Sequence, residues 1–400
     1  MPAAFTKSFT QQEPLPEAAI EAAVAVMRSG RLHRYNVSEG EAGETALLEQ
    51  EFAELLGVKF CLATASGGTA MQIAMHACGV APGDKVLTNA FTLSPVPGAI
   101  HAVGAKPVLV ETTDNLVIDL EDLAAKAEAS GARYLMISHM RGHLADMDAL
   151  MALCAAHDLT LIEDCAHTMG GAWDGKPSGT FGKAACFSTQ TYKHINSGEG
   201  GFVTTDDADV IARAIIRSGS YMLYERHLAG PDADAFKEAR LDMPNCSSRM
   251  DNLRAAILRP QLQDLDAQVE RWNVRYRILQ DGLRGVPGLR LRETPNAETH
   301  VGSSIQFMLP EFSDDQVSCL MKTTLSRGVE LKWFGADEPH GYTSRHQSWR
   351  YAGVQHAPRT DVILKRLFDM RVPLTFSQDD CQQIAALILE SVEEVAAQAV

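Results

Sequence analysis

The sequence predicts an α/β fold, with a large domain built on a mostly parallel central sheet and a smaller C-terminal α+β domain. Between residues 58 and 164, short apolar segments alternate with segments of helical periodicity. The apolar segments contain few polar residues, as strands do when helices cover both faces of a parallel sheet. A chain of 400 residues is also too long for one compact core, which favours two unequal domains.

The first helices are predicted from apolar spacing and from the glycines that follow them. Residues 16–30 and 42–57 carry apolar side chains at helical intervals. Gly30 and Gly57 stand where these helices should end, because glycine readily adopts the left-handed conformation of a helix C-terminus. A strand and a further helix are predicted between residues 58 and 78.

The same reasoning extends to the C-terminus, with apolar runs after turn residues predicting strands and periodic runs predicting helices. The remaining strands are predicted at 84–89, 106–110, 134–138, 159–163, 304–310, 328–334 and 369–374, and the remaining helices at 94–103, 120–130, 147–157, 250–285, 313–326 and 378–399. Short β-like pieces at 183–205 interrupt this alternation. We divide the chain into an N-terminal segment (1–40), a large domain (41–255) and a small domain (256–400).

Composition disfavours several classes of protein. A net charge of -15 disfavours binding to nucleic acid or to an anionic membrane, because like charges repel. The eight cysteines form no CxxC pair, so we expect free thiols in a reducing compartment. Residues 1–13 lack the apolar segment of a signal peptide, and no apolar run approaches the ~20 residues of a membrane span. We therefore expect a cytoplasmic protein, and the histidine spacings predict no metal site.

A glycine-rich turn between a strand and a helix is the first candidate site. Ser66-Gly67-Gly68-Thr69 follows the strand predicted at 58–64. Glycines allow the backbone to approach a ligand closely, and the N-terminus of the next helix presents free N–H groups to an anion such as phosphate. A purely structural turn has the same appearance, so both interpretations stay open here.

An aspartate at the end of a predicted strand is the second candidate. Asp164 follows the apolar run 159–162 and Glu163. A buried carboxylate needs a cation or hydrogen-bond donors, and a protonated pyridine nitrogen is such a cation. Capping of a helix N-terminus is the alternative role for this residue.

A lysine in a polar, glycine-flanked segment is the third candidate. Lys193 lies within residues 187–201, five positions after Ser188. Such a lysine forms a Schiff base with a carbonyl if its pKa is lowered, whereas most loop lysines are simply solvated. The chain order of a phosphate-type turn, an aspartate at a strand end and then Ser-x4-Lys is typical of a site for pyridoxal phosphate (PLP).

These segments resemble the DegT/DnrJ/StrS family of sugar aminotransferases, which belongs to the fold type I PLP enzymes. The similarity begins near residue 15 and is strongest at 50–205 and 245–262. The matching segments are Gly67 to Met71, Pro82-Gly83-Asp84 with Phe91, Glu163 to His167, Phe187 to Gly201, Arg249-Met250-Asp251, Ala255-Ala256-Ile257 and Gln261-Leu262. The resemblance implies a PLP-dependent transferase fold of type I.

The resemblance implies catalytic roles for Lys193 and Asp164. Lys193 would form the Schiff base with PLP and move a proton between substrate and cofactor. Asp164 would pair with the protonated ring nitrogen of PLP. Phe91 would stack on the ring, and His167, which replaces a common glutamine, would lie near the ring's phenolic oxygen.

The resemblance also implies how the cofactor phosphate is bound. Gly68, Thr69 and Ser188 would hold it, while the preceding residue, Gly67, replaces a common serine. The family is homodimeric, and an asparagine of the partner subunit reaches this phosphate. That asparagine aligns with Ser247 here, and Asn245 lies two residues earlier. Either residue is a candidate for this contact across the dimer interface.

Candidates for substrate binding are Arg141, Arg34, Tyr35 and Trp333. The segment 138–143 differs from the usual family sequence, and Arg141 within it either contacts substrate or is a solvated turn residue. Family members that aminate an eight-carbon keto-sugar acid have similar Tyr-Asn and His-Met segments. That similarity would suit an acidic acceptor bound by Arg34 or Arg141.

The leading functional hypothesis is an aminotransferase that works in ping-pong half-reactions. Family habit suggests L-glutamate as the amino donor and a ketone or aldehyde of a sugar-like molecule as the acceptor. A dehydratase of the same family is one alternative, although histidine replaces the Schiff-base lysine in those enzymes. A non-catalytic PLP-binding regulator is another. A Rossmann-type nucleotide binder is disfavoured because no GxGxxG motif follows the first strand.

Overall fold

The computed structural model describes residues 3–38 and 40–398. Its helices are α1 Glu17–Ser29, α2 Glu44–Leu56, α3 Gly67–Ala77, α4 Pro95–Ala102, α5 Leu120–Ser130, α6 Met147–Ala156, α7 Ala208–Ser218, α8 Phe236–Asp242, α9 Asn252–Gln263, α10 Leu265–Leu283, α11 Asp314–Ser326, α12 Pro358–Leu364 and α13 Gln378–Ala397. Its strands are β1 Phe60–Thr64, β2 Lys85–Asn89, β3 Lys106–Val110, β4 Tyr134–Ser138, β5 Thr160–Asp164, β6 Ala172–Trp173, β7 Lys176–Pro177, β8 Ala184–Ser188, β9 Gly201–Thr205, β10 Arg290–Leu291, β11 Glu298–Thr299, β12 Ser304–Met308, β13 Lys332–Trp333 and β14 Leu367–Arg371.

A seven-stranded sheet forms the centre of the molecule, in the order β1-β9-β8-β5-β4-β2-β3. Strands β3, β2, β4, β5 and β8 pair in parallel, and only β9 runs antiparallel to its neighbours β1 and β8. The predicted α/β class with a mostly parallel sheet is confirmed. The carboxyl ends of β1, β4, β5 and β8 therefore meet at one edge, where α/β proteins bind ligands.

The smaller sheet has the order β10-β12-β14-β13 and is entirely antiparallel. One of its faces is apolar and packs with α10, α11 and α13 into a separate core. Phe5 and Phe9 of the N-terminal segment join this core, where both rings contact Phe376 edge-on. The predicted C-terminal α+β part is thus confirmed in its architecture, while the domain boundaries stay predictions.

Several elements differ from the sequence-based predictions. The long helix predicted at 250–285 is two helices, α9 and α10, which meet at Asp264. Pro260 lies just before this break and lacks the N–H that continues a helix. The strand predicted at 328–334 pairs only at Lys332 and Trp333. Helices α7, α8 and α12, strand β10 and the small β11-β6-β7 sheet were not predicted. None of the described helices is long and apolar enough to cross a membrane.

Candidate active site

A cavity of about 720 Å³ lies at the carboxyl edge of the large sheet. Ser138, Asp164 and Ser188 face it from the ends of β4, β5 and β8. The opposite wall comes from the small domain and from residues 9–16 of the N-terminal segment. Lys193 projects into the same space from the loop after β8. The cavity therefore joins the candidate residues of all three sequence motifs.

Asp164 is buried at the floor of this cavity, and both of its carboxylate oxygens accept hydrogen bonds. Ser138 Oγ donates to Oδ2 at 3.0 Å, because parallel pairing of β4 with β5 places Ser138 directly opposite Asp164. The Ala166 amide donates to Oδ1 at 3.1 Å. Burial raises the pKa of Asp164, while the Ala166 amide and the nearby Lys193 act in the opposite direction. A cation bound against Asp164 would stabilise the ionised carboxylate.

Lys193 and His167 form the polar centre of the cavity. Lys193 Nζ lies 2.8 Å from His167 Nε2. Burial lowers the pKa of Lys193 to about 7, and the positive charge of Arg141 contributes in the same direction. Burial also holds the pKa of His167 well below its usual value, so its ring is neutral and Nε2 accepts a hydrogen bond from the Lys193 amino group. An amine that is half deprotonated near neutral pH is suited to nucleophilic attack on a carbonyl.

The start of α3 forms an anion-binding end of the cavity. Ser66 caps the helix, with its Oγ accepting from the Thr69 amide at 3.1 Å. Gly67 and Gly68 line the cavity, and the first amides of a helix have no partner within it. β1 and β8 both pair with Gly201 of β9, which brings this helix start beside Ser188. The structure thus brings Gly68 and Ser188 together at the cavity, whereas the hydroxyl and amide of Thr69 contact Ser66 Oγ.

Close packing explains the glycine at position 67. A Cβ built on Gly67 would lie 2.7 Å from Ser188 Cβ, whereas one on Gly68 would meet nothing closer than 3.9 Å. We therefore expect Gly67→Ala to lower the stability of the apoprotein by ~1–3 kcal/mol, because the overlap must force a shift. Gly68→Ala is the matched control and should not destabilise, since alanine favours helix. Urea denaturation midpoints measure both, and equal midpoints would contradict the packing argument.

Phe91 is not brought to the cavity as the resemblance implied. Its side chain is only 1% exposed and lies in an apolar cluster behind the cavity wall. Its ring meets that of Phe334 edge-on, with centroids 5.1 Å apart. Leu93, from the connection after β2, and Val96 of α4 face the cavity instead. The structure therefore places Leu93 and Val96 at the cavity wall and Phe91 behind it.

Asn245 and Ser247 lie away from the cavity, on the surface of this protomer. Asn245 Oδ1 accepts from the Ser247 amide at 3.1 Å, and Ser247 has a left-handed backbone with φ 51°. Both side chains are exposed in a segment next to Arg249. Their predicted role toward a partner subunit's phosphate stays a prediction.

Arg34 and Tyr35 are structural residues here, which corrects their assignment to substrate binding. The Arg34 guanidinium is buried and binds both Glu49 oxygens, at 2.7 and 2.8 Å. Tyr35 Oη contacts His227 Nε2 at 2.7 Å, and His227 Nδ1 contacts the Arg34 guanidinium at 3.0 Å. Burial alone would raise the pKa of Glu49, but the charges of Arg34 and His227 hold it at about 2. The sequence could not reveal this pairing because it joins separate elements.

We expect Arg34→Met to act on stability and not on substrate saturation. Removal of one partner leaves Glu49 buried and undercompensated, which costs ~3–5 kcal/mol. Arg31→Met is the matched control, because Arg31 pairs with Glu41 at 2.8 Å on the exposed surface and such pairs contribute about 1 kcal/mol or less. Denaturation midpoints and KM values measure both effects. A wild-type midpoint with a raised KM would restore the substrate assignment.

Arg141 lies on the cavity wall, whereas Trp333 does not. Arg141 has a left-handed backbone with φ 59°, and its guanidinium donates to Asp369 Oδ2 at 2.7 Å. The Trp333 indole instead donates to the Lys365 carbonyl at 3.2 Å, beside the small-domain core. Arg141 thus remains a candidate substrate contact, although an acid of the protein already pairs with it.

The sequence reasoning missed the small-domain residues of this wall, namely Tyr342 and Arg371. Tyr342 Oη donates to Asp369 Oδ2 at 2.6 Å. Asp369 and Arg371 alternate with apolar residues along β14 and so share one face of the strand. That alternation was present in the predicted strand 369–374, and it was the available signal for a polar face.

Two buried groups bring together side chains of the kinds that bind metals: His139 with Glu163 and Cys165, and His143 with Glu298 and His300. The carboxylates of both groups already bind protein donors. Glu163 accepts from the amides of residues 179, 181 and 182, and the Arg292 guanidinium binds both oxygens of Glu298. The expectation of no metal site stays a prediction.

The site fits PLP in its charge and shape. Asp164 offers an acid to a ring nitrogen, Lys193 offers an amine to an aldehyde, and the start of α3 offers amides to a phosphate. The space that a Cβ on Gly67 would fill is already taken by Ser188, so the start of α3 packs tightly against the end of β8 at this end of the cavity. These three features were predicted from separate motifs and lie around one cavity.

Comparisons with known proteins agree with this fit. The chain is 34% identical over 305 residues to L-glutamine:2-deoxy-scyllo-inosose aminotransferase of Streptomyces lividus, covering 74% of this chain and 70% of the relative. It is 34% identical over 221 residues to GDP-perosamine synthase of Caulobacter vibrioides, covering 54% and 56%. The crystal structure of S. venezuelae DesV in complex with a ketimine intermediate superposes with a TM-score of 0.78 at 26% identity, covering 94% of each chain.

The sequence pattern described as the DegT/DnrJ/EryC1/StrS aminotransferase family matches residues 15–389. The predicted cofactor and enzyme class are both confirmed by these findings. This chain belongs to the DegT/DnrJ/EryC1/StrS aminotransferase family and is a PLP-dependent aminotransferase.

Proposed function

We propose that this enzyme transfers an amino group from L-glutamine or L-glutamate to a ketone or aldehyde carbon of a sugar or cyclitol. The observation that carries the proposal is the meeting of the Lys193 amine and the Asp164 carboxylate in one cavity. The relatives support the donor and acceptor classes, since one takes an inosose with L-glutamine and another makes a sugar nucleotide. The cavity of about 720 Å³ has room for cofactor and a sugar-sized substrate.

Each predicted residue has a proposed task in this reaction. When bound, PLP supplies an electron-accepting ring that stabilises negative charge on the substrate carbon. Asp164 would keep a positive charge at the ring nitrogen. The amides of Gly67 and Gly68, together with the Ser188 hydroxyl, would hold the phosphate at the start of α3.

Lys193 is the proposed proton carrier. A group transfers protons well in both directions when its pKa lies near the working pH, and burial places the pKa of Lys193 at about 7. The neutral His167 ring, 2.8 Å from Nζ, would orient the amine without adding a second positive charge. This arrangement gives His167 a hydrogen-bonding role that the family's common glutamine would also fill.

The lowered pKa of Lys193 predicts how the apoenzyme takes up PLP. Only the deprotonated amine attacks the aldehyde, so the uptake rate should rise with pH, reach half of its maximum near pH 7 and level off above pH 8. An ordinary lysine, with a pKa of about 10.4, would make the rate rise up to pH 10. Stopped-flow absorbance at several pH values measures this, and a continuing rise beyond pH 9 would contradict the assignment.

We also propose a homodimer with its active sites at the interface. The segment 221–241 carries four exposed large apolar side chains, those of Tyr221, Met222, Leu228 and Leu241. The exposed residues Asn245 and Ser247 follow this segment, and in the proposed dimer one of them would contact the phosphate bound in the partner subunit. Sedimentation of the purified enzyme tests the dimer.

We also propose a reducing, cytoplasmic location, which the eight free cysteines support.

The absorption spectrum of the purified holoenzyme tests the proposed function. We expect a visible band from PLP bound to Lys193, and this band should bleach when L-glutamine or L-glutamate is added. Addition of 2-deoxy-scyllo-inosose should then restore the band if the acceptor is a cyclitol. A band that persists with both donors would contradict the proposed donor class.

A further inference from the structure

The guanidinium of Arg371 is a cation of the cavity wall that contacts two aromatic rings. Its central carbon is 3.8 Å from the ring centroid of Tyr192 and 4.7 Å from that of Tyr342. Within residues 3–38 and 40–398, no oxygen accepts a hydrogen bond from this side chain, and no carboxylate lies within ion-pair distance. Arg371 lines the cavity at the end of β14, next to the loop that carries Lys193.

The nearest candidate partner, Asp369, is already fully engaged. Its Oδ1 accepts from the Gln306 amide at 2.6 Å, and its Oδ2 accepts from Arg141 at 2.7 Å and from Tyr342 at 2.6 Å. Two guanidinium groups therefore face one carboxylate on this wall. One positive charge, that of Arg371, is left without a counter-charge from the described residues.

The other arginines considered for substrate binding differ in this respect. Arg34 is neutralised by Glu49 and lies outside the cavity, and Arg141 is neutralised by Asp369. Contact with the rings of Tyr192 and Tyr342 restricts the rotation of the Arg371 guanidinium. Its in-plane N–H groups remain free, and they match the two oxygens of a carboxylate.

We propose that Arg371 binds a carboxylate group of a substrate in this cavity. The proposal rests on the proposed function, which places both substrates here in turn. The carboxylate belongs either to the amino-acid donor or to an acidic sugar acceptor, since the two occupy the cavity in separate half-reactions. Tyr192 and Tyr342 act as positioning residues that hold the guanidinium in place.

The test compares Arg371→Gln and Arg371→Lys with the wild-type holoenzyme. Arg290→Gln is the matched control, because Arg290 is exposed on β10 of the same sheet and forms no ion pair with the described residues. One arm follows the donor half-reaction by absorbance in single turnovers at increasing L-glutamate. The other measures calorimetric binding of D-glucuronate against D-glucose, which differ by one carboxylate. PLP affinity is measured for every variant.

We expect Arg371→Gln to weaken binding at least about tenfold in one arm, the range of a charge-assisted hydrogen bond. Weaker L-glutamate saturation assigns the carboxylate to the donor, and loss of the preference for D-glucuronate alone assigns it to the acceptor. Arg371→Lys should weaken binding less than Arg371→Gln, because lysine keeps the positive charge but lacks the planar guanidinium with its paired N–H groups. Arg290→Gln should match the wild type.

Two results would overturn the proposal. In the first, Arg371→Gln leaves both arms unchanged. In the second, it weakens PLP binding instead, which would assign the guanidinium to the cofactor. A wild-type enzyme that ignores every donor would refute the proposed function separately. The calorimetric arm needs no turnover, and equal binding of D-glucuronate and D-glucose in that case would refute the carboxylate site as well.

Discussion

Replacement of Lys193 by alanine should abolish transamination while the protein still folds. The change removes both the amine that attacks the cofactor aldehyde and the proposed proton carrier, so we expect a rate loss of at least about 10³-fold. Its only described side-chain hydrogen bond is to His167, and its side chain borders a cavity, so little packing is lost. Single-turnover absorbance with L-glutamate measures the loss.

Lys59→Ala is a suitable control for this experiment. Lys59 is an exposed lysine just before β1, on the far side of the sheet from the strand ends that form the cavity. We expect wild-type rates from it. Thermal unfolding of both variants separates a chemical effect from a folding defect. A Lys193→Ala enzyme with more than a few per cent of wild-type activity would refute the mechanism.

Replacement of Asp164 by asparagine should produce the second largest effect. The amide cannot balance a positive charge at the ring nitrogen, so we expect kcat/KM to fall by about 10²-fold or more. One of the two hydrogen bonds from Ser138 and Ala166 would also lose its acceptor, at a cost of ~1–3 kcal/mol in stability. Kinetics with L-glutamate and denaturation midpoints measure the two consequences separately.

A second variant separates the catalytic effect of the Asp164 charge from the contribution of its hydrogen bonds to stability. Ser138→Ala removes the hydroxyl that donates to Oδ2 and leaves the carboxylate in place. It should lower stability by a similar amount and reduce kcat/KM far less than Asp164→Asn. Asp232→Asn, at an exposed aspartate, should change neither quantity. Equal kinetic losses in the Ser138 and Asp164 variants would show that hydrogen bonding and not charge is the main contribution of Asp164.

Much of the fold follows from local sequence. Strands at 106–110 and 134–138 and the helix at 120–130 agree with the structure at both ends. Turn residues and helix-capping groups mark these boundaries clearly. The boundary between the two helices in the segment 250–285 was not predicted, because charged residues continue across the break at Asp264 and periodicity alone does not reveal a change of direction. The short β11-β6-β7 sheet pairs two-residue strands from distant segments, which leave no periodic signal.

The sequence by itself determined that Lys193, Asp164, Ser188 and the turn at Gly67 belong to one region. Each lies at or after the C-terminal end of a buried strand, and parallel strands in an α/β fold carry their C-terminal ends to one edge. Local pattern and general topology were sufficient to expect these residues at one edge of the sheet, because neither requires knowledge of distant side chains, and the family resemblance added their expected roles. The same reasoning located the start of α3 beside them.

Only the tertiary structure decided which cation and which aromatic residue face the cavity. Arg34, Arg141 and Arg371 are equivalent in a sequence, but their partners lie 15 positions away for Arg34 and 228 positions away for Arg141. Among the described residues, Arg371 has no such partner. Phe91 likewise turned into the core because Phe334 of the small domain packs against it. Charge neutralisation and burial depend on contacts between elements far apart in the chain, and local sequence does not encode those contacts.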